Sequence, residues 1–127
     1  MNPIQLPLFL RLKDCGDVVR YESVVKMQSQ FEKIDVENEE YDAWDALGTR
    51  LRLSVQESTD WLRVDSTNPE PTQLAKAIAE FARLQGVPAD MSKLDAGDFH
   101  VALEQVKSEI QAKRPSQSWW RKLKQRF

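Results

Sequence analysis

A chain of 127 residues, 41% hydrophobic and 30% charged, has the length of one domain able to bury a core without disulfides or metals, which excludes a disordered polymer as its default state. Its single cysteine, Cys15, excludes an intrachain disulfide framework and points to a reducing compartment, so the cytoplasm is the expected location. The net charge of -2 hides a segregation: residues 113–127 hold six of the 18 basic side chains and no acid, so that segment carries +6 and the remainder, with 12 basic and 20 acidic residues, carries -8.

The first element is expected in LPLFLRLK, residues 6–13, where Leu6, Leu8, Leu10 and Leu12 alternate with Pro7, Phe9, Arg11 and Lys13. No basic residue precedes this run, Arg11 and Lys13 cut it short, and it is too brief to span a bilayer, so it reads as a strand and not as an export signal. Pro7 places that strand at a sheet edge or marks its beginning. DCGD is a turn in which Gly16 can take positive φ, and VVRY returns as a short strand. From Ser23 the period becomes helical: Val24, Met27, Gln28 and Phe31 share a face behind a serine suited to capping.

Residues 39–55 have the pattern of a hairpin, with EYDAWD as one strand, Gly48 in the turn and Leu51, Leu53 and Val55 inward on the other. WLRVD continues the meander, and the prolines of STNPEPT are expected to close the β-rich part. QLAKAIAEFARLQG predicts a helix with Leu74, Ala75, Ile78, Phe81 and Ala82 on one face and Gly86 as its stop. After the loop VPADMSK, a last long helix is expected from about Asp95 to Lys113, its stripe formed by Phe99, Ala102, Leu103, Val106 and Ile110, with Pro115 beyond it. This order predicts an α+β domain over residues 1–114, a mainly antiparallel sheet of about five strands with helices packed on one face, followed by a basic aromatic segment over 115–127 that forms a short C-terminal amphipathic helix.

Two stretches are candidate sites. The first is acidic, DVENEEYDAWD, with Asp35, Glu37, Glu39, Glu40, Asp42 and Asp45 around Trp44. It lacks the glycine and the ligand spacing of an EF-hand loop, so no metal is expected there. Catalysis by Glu39, Glu40, Asp42 or Asp45 would need one carboxyl with a raised pKa, for which a charged hairpin offers little desolvation. The economical reading has Glu40, Asp42 and Trp44 alternating outward and facing Arg50 and Arg52 across the ladder. A third use is an acidic patch that, with Tyr41 and Trp61, receives a basic protein in the manner of an inhibitor or immunity protein.

The second stretch is SWWRKLKQRF. Placed on a helix, Trp119, Trp120, Leu123 and Phe127 fall within about a 100° arc, with Arg121, Lys122, Lys124 and Arg126 around the rest. Ten such residues are marginal as a free helix, so the apolar face calls for an occupant: the domain itself, an anionic membrane surface, or a groove on a protein. Nucleic acid is disfavoured by the acidic body. Cys15 sits between Asp14 and Asp17, which oppose thiolate formation, and the lone His100 follows Phe99 on the long helix. No phosphate loop and no cofactor signature is present. The sequence therefore predicts a small non-enzymatic binding or adaptor protein, cytoplasmic or peripheral at a membrane, with a protein as its expected partner.

Overall fold

The computed structural model describes residues 4–113. The strands are β1 (Leu8–Leu12), β2 (Val18–Tyr21), β3 (Tyr41–Trp44), β4 (Thr49–Val55) and β5 (Leu62–Pro69); the helices are α1 (Val24–Gln30), α2 (Lys33–Glu37), α3 (Pro71–Leu84), α4 (Met91–Asp95) and α5 (Phe99–Lys113). All neighbouring strands are antiparallel, in the order β2-β1-β3-β4-β5. The α+β architecture expected from the sequence is thus the observed one. β1 is interior to the sheet, so Pro7 marks the beginning of the strand and not an edge.

Leu8, Phe9 and Leu10 are all fully buried, which requires cover on both faces of β1. On one face Phe9, Val18 and Trp44 pack against Leu74, Ile78 and Phe81 of α3 and Phe99, Leu103 and Val106 of α5. Phe9 and Phe99 meet edge to face with centroids 6.4 Å apart. On the other, Leu8, Leu10, Tyr21, Ala43, Leu51 and Leu62 form a second core under Met27 of α1 and Val36 of α2. The two long helices do lie on one face, and the short α1–α2 pair closes the opposite one. Coverage on the α3–α5 face is partial, because that core takes side chains from β1, β2 and β3 and none from β4 or β5.

Local signals explain most boundaries. Ser23 caps α1 by accepting from the Lys26 N–H, and Gly16, Gly48 and Gly86 all take the positive φ that their turns require. Three details differ from expectation. β5 runs through STNP to Pro69, since an edge strand tolerates a residue that cannot donate. The acidic run contains a short helix, α2, and Glu39 at φ 55 turns the chain from it into β3. The predicted Asp95 start of the last helix is instead the end of α4, whose N-terminus is capped by the Asp90 carboxylate; Gly97, at φ 82, separates it from α5.

Gly48 joins the hairpin to the helical layer: a Cβ there would lie 2.6 Å from the Pro71 Cα, at the first residue of α3. Gly97 has the same backbone conformation with nothing within 4 Å of such a Cβ. Both alanine substitutions therefore carry left-handed strain of about 1 to 2 kcal/mol, but only Gly48→Ala must also displace backbone. Urea unfolding is expected to show a loss of at least about 2 kcal/mol for Gly48→Ala and about 1 kcal/mol for Gly97→Ala. Equal losses would show that the start of α3 is free to move.

Candidate functional site

The acidic stretch does not form one surface. Asp42 is 7% exposed, Trp44 2% and Asp45 2%, whereas Glu37, Glu39 and Glu40 are exposed and Asp35 is half-buried. The expectation that Asp42 and Trp44 point outward is corrected by the register: Phe9 faces Trp44 and Arg11 faces Asp42 across β1–β3, so all four share the face that the long helices cover. Asp45 builds the β3–β4 turn, its Oδ1 accepting from the N–H groups of Leu47 and Thr49 at 2.9 Å each and its Oδ2 from Gln5 at 3.3 Å. Asp42, Trp44 and Asp45 are thus all turned inward, away from the surface the sequence pattern suggested.

Asp42 is instead the centre of a charge cluster. One carboxylate oxygen accepts from Arg11 Nη2 at 2.7 Å, the other from Arg50 Nη2, and Lys13 Nζ stands at 3.8 Å. The expected cross-strand charge pairing is met by Asp42 and Arg50, while Arg52 lies opposite Asp65 on β5. Desolvation pushes the Asp42 carboxyl up, but hydrogen bonds and charge from Arg50 and Arg11 outweigh it and hold the group below its ordinary value. That is the reverse of what a general acid at this position would need.

This cluster floors a cleft of about 540 Å³ at the step where α3 ends its cover and the bare side of β4 begins. Arg11, Asp42, Trp44 and Arg50 rise from the sheet, and Lys76, Glu80 and Arg83 descend from α3, whose i, i+4 and i+7 spacing puts them on one flank. Four cations therefore face two carboxylates. Glu80 is already bound by Arg83, whose Nε donates at 2.8 Å. The Arg50 guanidinium lies 5.2 Å above the Trp44 ring, a cation–π arrangement that orients both. Two buried donors, Arg11 Nε and Trp44 Nε1, have no acceptor among the described residues. Buried donors without acceptors are rare and costly, and here both belong to residues lining the same cleft. The site is thus rich in donors and short of acceptors.

The sequence pattern places Arg11 and Trp44 on strands but does not bring them together, and Lys76 and Arg83 read only as the polar side of a helix. The available signal is the uninterrupted apolar run LFL in β1, which marks a strand covered on both faces and so turns Arg11 and Asp42 toward the helices.

Elsewhere, the Tyr41 hydroxyl is pushed up to about 12 by desolvation and by the Asp35 carboxylate, to which it donates at 3.3 Å. At Cys15 a backbone hydrogen bond from Asp17 pulls the thiol down, but desolvation and the carboxylates of Asp14 and Asp17 prevail, and the net displacement is up, away from thiolate. His100 is exposed on the first turn of α5. Among the described residues no group of three or more His, Cys, Asp or Glu side chains could hold a metal ion, and no helix is long and apolar enough to cross a membrane. Trp119, Trp120, Arg121, Lys122, Leu123, Lys124, Arg126 and Phe127, and with them the expected C-terminal amphipathic helix, lie outside the described residues. No family model matches the sequence, and neither a curated protein nor a solved structure matches it.

Asp42→Asn should expose the electrostatics of the cluster. With the folded-state carboxyl below its ordinary value, the stability it adds is complete above the unfolded pKa of about 4 and is lost as pH falls through the folded value. Urea titrations are expected to show the wild type about 1 to 3 kcal/mol more stable than the variant between pH 5 and 7, with the difference closing at lower pH. A difference that persists unchanged at pH 2 would mean that packing, not charge, sets the role of Asp42.

Proposed function

We propose that this protein acts by binding rather than catalysis, and that the cleft between α3 and the sheet receives acidic side chains of a partner protein. The observation that carries this reading is a cleft of about 540 Å³ in which Arg11, Arg50, Lys76 and Arg83 face only Asp42 and Glu80, so that cations outnumber acids. Carboxylates of a partner balance the excess positive charge, and guanidinium groups hold carboxylates in two-pronged hydrogen bonds of defined direction. The Asp42 carboxylate neutralises part of the local charge and fixes Arg11 and Arg50 with their remaining N–H groups free for a ligand. Lys76 and Arg83, more exposed on the rim, draw an anionic partner in and set the association rate.

This reading keeps the expected adaptor-like function and changes its surface. An acidic patch for a basic partner would have lost Asp42, Trp44 and Asp45 to the interior, and at Asp42 a carboxylate enzyme would find a lowered pKa where a general acid needs a raised one. A single cysteine, with no second one in the chain to pair with, suits a reducing compartment such as the cytoplasm.

A hexaglutamate peptide titrated into the isotopically labelled full chain tests the proposal. The indole N–H signal of Trp44 and the Nε–H signal of Arg11 are expected to shift together and saturably, less so as salt rises. Lys76→Glu/Arg83→Glu, at exposed positions that leave stability within about 0.5 kcal/mol, is expected to weaken binding at least tenfold. Signals that stay fixed at millimolar peptide, or an affinity indifferent to the charge reversal, would refute it.

A further inference from the structure

We infer that two copies of this chain associate through the outer edge of β5, pairing antiparallel about a two-fold axis at Val64 so that their sheets become continuous. β5 ends the strand order, and among the described residues no strand pairs with its outer side. In an antiparallel ladder the backbone groups of alternate residues point to the same neighbour. The Gln56 N–H donates to the Trp61 carbonyl at 2.6 Å, and the register goes on to pair Ser54 with Arg63 and Arg52 with Asp65, so Trp61, Arg63 and Asp65 direct their N–H and C=O groups toward β4. The other side of β4 agrees: Asp45 donates to the Thr49 carbonyl at 2.9 Å and Ala43 pairs with Leu51, which turns Leu51 and Leu53 to the β3 side and Arg52 and Ser54 to β5. Leu62, Val64 and Ser66 therefore point their backbone groups outward.

The stretch able to pair is short and self-complementary. Edge strands are usually blunted by proline, bulges or lysine, but β5 carries its register shift, opposite Thr49 and Leu51, and its Pro69 only toward the C-terminal end. The regular run is Leu62 to Ser66, and its centre is Val64. An axis there sets Val64 against Val64 of the second copy as a hydrogen-bonded pair, Leu62 against Ser66, and Arg63 against Asp65. The charged pair falls at the non-hydrogen-bonded position, where Cα atoms are only about 4.5 Å apart and side chains meet most closely. Axes at Arg63 or Asp65 would set like charges opposite each other, and axes at Leu62 or Ser66 would carry the pairing of Val64 to Asp60 or Asn68, outside the regular run.

The side chains suit that register on both faces. Arg63 and Asp65 already pair within the strand, Nε to Oδ2 at 2.9 Å, and their side chains are 56% and 31% exposed. They lie on the face that the α3–α5 core leaves bare, beside Arg52, so a second copy turns each pair into an alternating array of charges across the axis. On the opposite face Leu62 is buried in the second core and Val64 packs against it, half-buried, so the axis brings two valines together. β2, the other edge, offers no such run: it has four residues, and its Arg20 reaches Glu104 of α5 at 3.7 Å. Pairing through β5 leaves both clefts open, facing each other across a floor made of β4 and β5 of the two copies.

Sedimentation and amide hydrogen exchange of the full chain, from micromolar to millimolar concentration, test the inference. The unaltered chain is expected to reach twice its monomer mass, with the Val64 amide exchanging more slowly as it does so. Val64→Pro removes an N–H that β4 does not use and is expected to weaken association about tenfold or more. Arg63→Asp and Asp65→Arg each set like charges across the axis and are expected to sediment as monomers alone. Mixed in equal amounts, they restore both opposite pairs and are expected to form a heterodimer, which relief of repulsion within one chain cannot produce. A chain that stays monomeric at millimolar concentration, Val64 protection that is independent of concentration, a dimer indifferent to these substitutions, or charge variants that fail to associate on mixing would each overturn it. The cleft variant Lys76→Glu/Arg83→Glu is expected to associate like the unaltered chain, so this inference and the proposed function fail separately.

Discussion

The structure depends on β1 being buried on both faces. Its three fully buried residues, Leu8, Phe9 and Leu10, are the point at which the two hydrophobic cores touch, Phe9 belonging to the core beneath α3 and α5 and the leucines to the core beneath α1 and α2. A sheet buried on two sides needs two helical layers, and a chain of this size has few residues to build them. The layers are therefore unequal. The α1–α2 layer, with seven and five residues, lies over a core drawn from the apolar side chains of all five strands, whereas α3 and α5, longer and better packed, cover only the β2-β1-β3 half of their face.

Polar chemistry collects where each layer stops. On the α3–α5 face the cover ends over β3, so the next side chains along the sheet meet both the flank of α3 and solvent; there the ladder supplies Arg11, Asp42 and Arg50 instead of apolar residues. Low-dielectric walls on one side strengthen these charge interactions, and water on the other allows them to remain ionised. The same half-buried setting explains why Asp42 stays below its ordinary pKa despite desolvation: two guanidinium groups approach it within hydrogen-bond distance while their side chains stay partly exposed.

The sequence made the element types legible because hydrophobic period and capping are local. The Ser23 cap, Gly48 turn, Pro71 helix start and apolar stripe of α3 can be read without knowing what they pack against. Facing is not local. Alternation in EYDAWD says that Asp42 and Trp44 share a side, but which side is inward depends on β1 pairing with β3 and on α3 returning over both. Charged residues usually mark the solvated side of a hairpin, and here that rule fails because the inward acid has two arginine partners, one of them 31 residues away on another strand. α2 is hidden for a related reason: five residues form too short a run to show a helical period, and one buried side chain, Val36, anchors them.

The two polar features share β3. Asp42 and Trp44 turn toward the cleft, while Tyr41, stacked on Phe31 with centroids 4.4 Å apart and bonded to Asp35, turns to the other face. Before Ala43, β3 is held along one edge only, by β1 and by the bond from the Lys13 N–H to the Glu40 carbonyl. Arg50 rides on β4 and Asp42 on β3, so the spacing of these two strands sets how the side chains approach each other. The turn built on Asp45 and the Ala43–Leu51 pairing beyond it hold the spacing of the strands that carry the floor of the cleft.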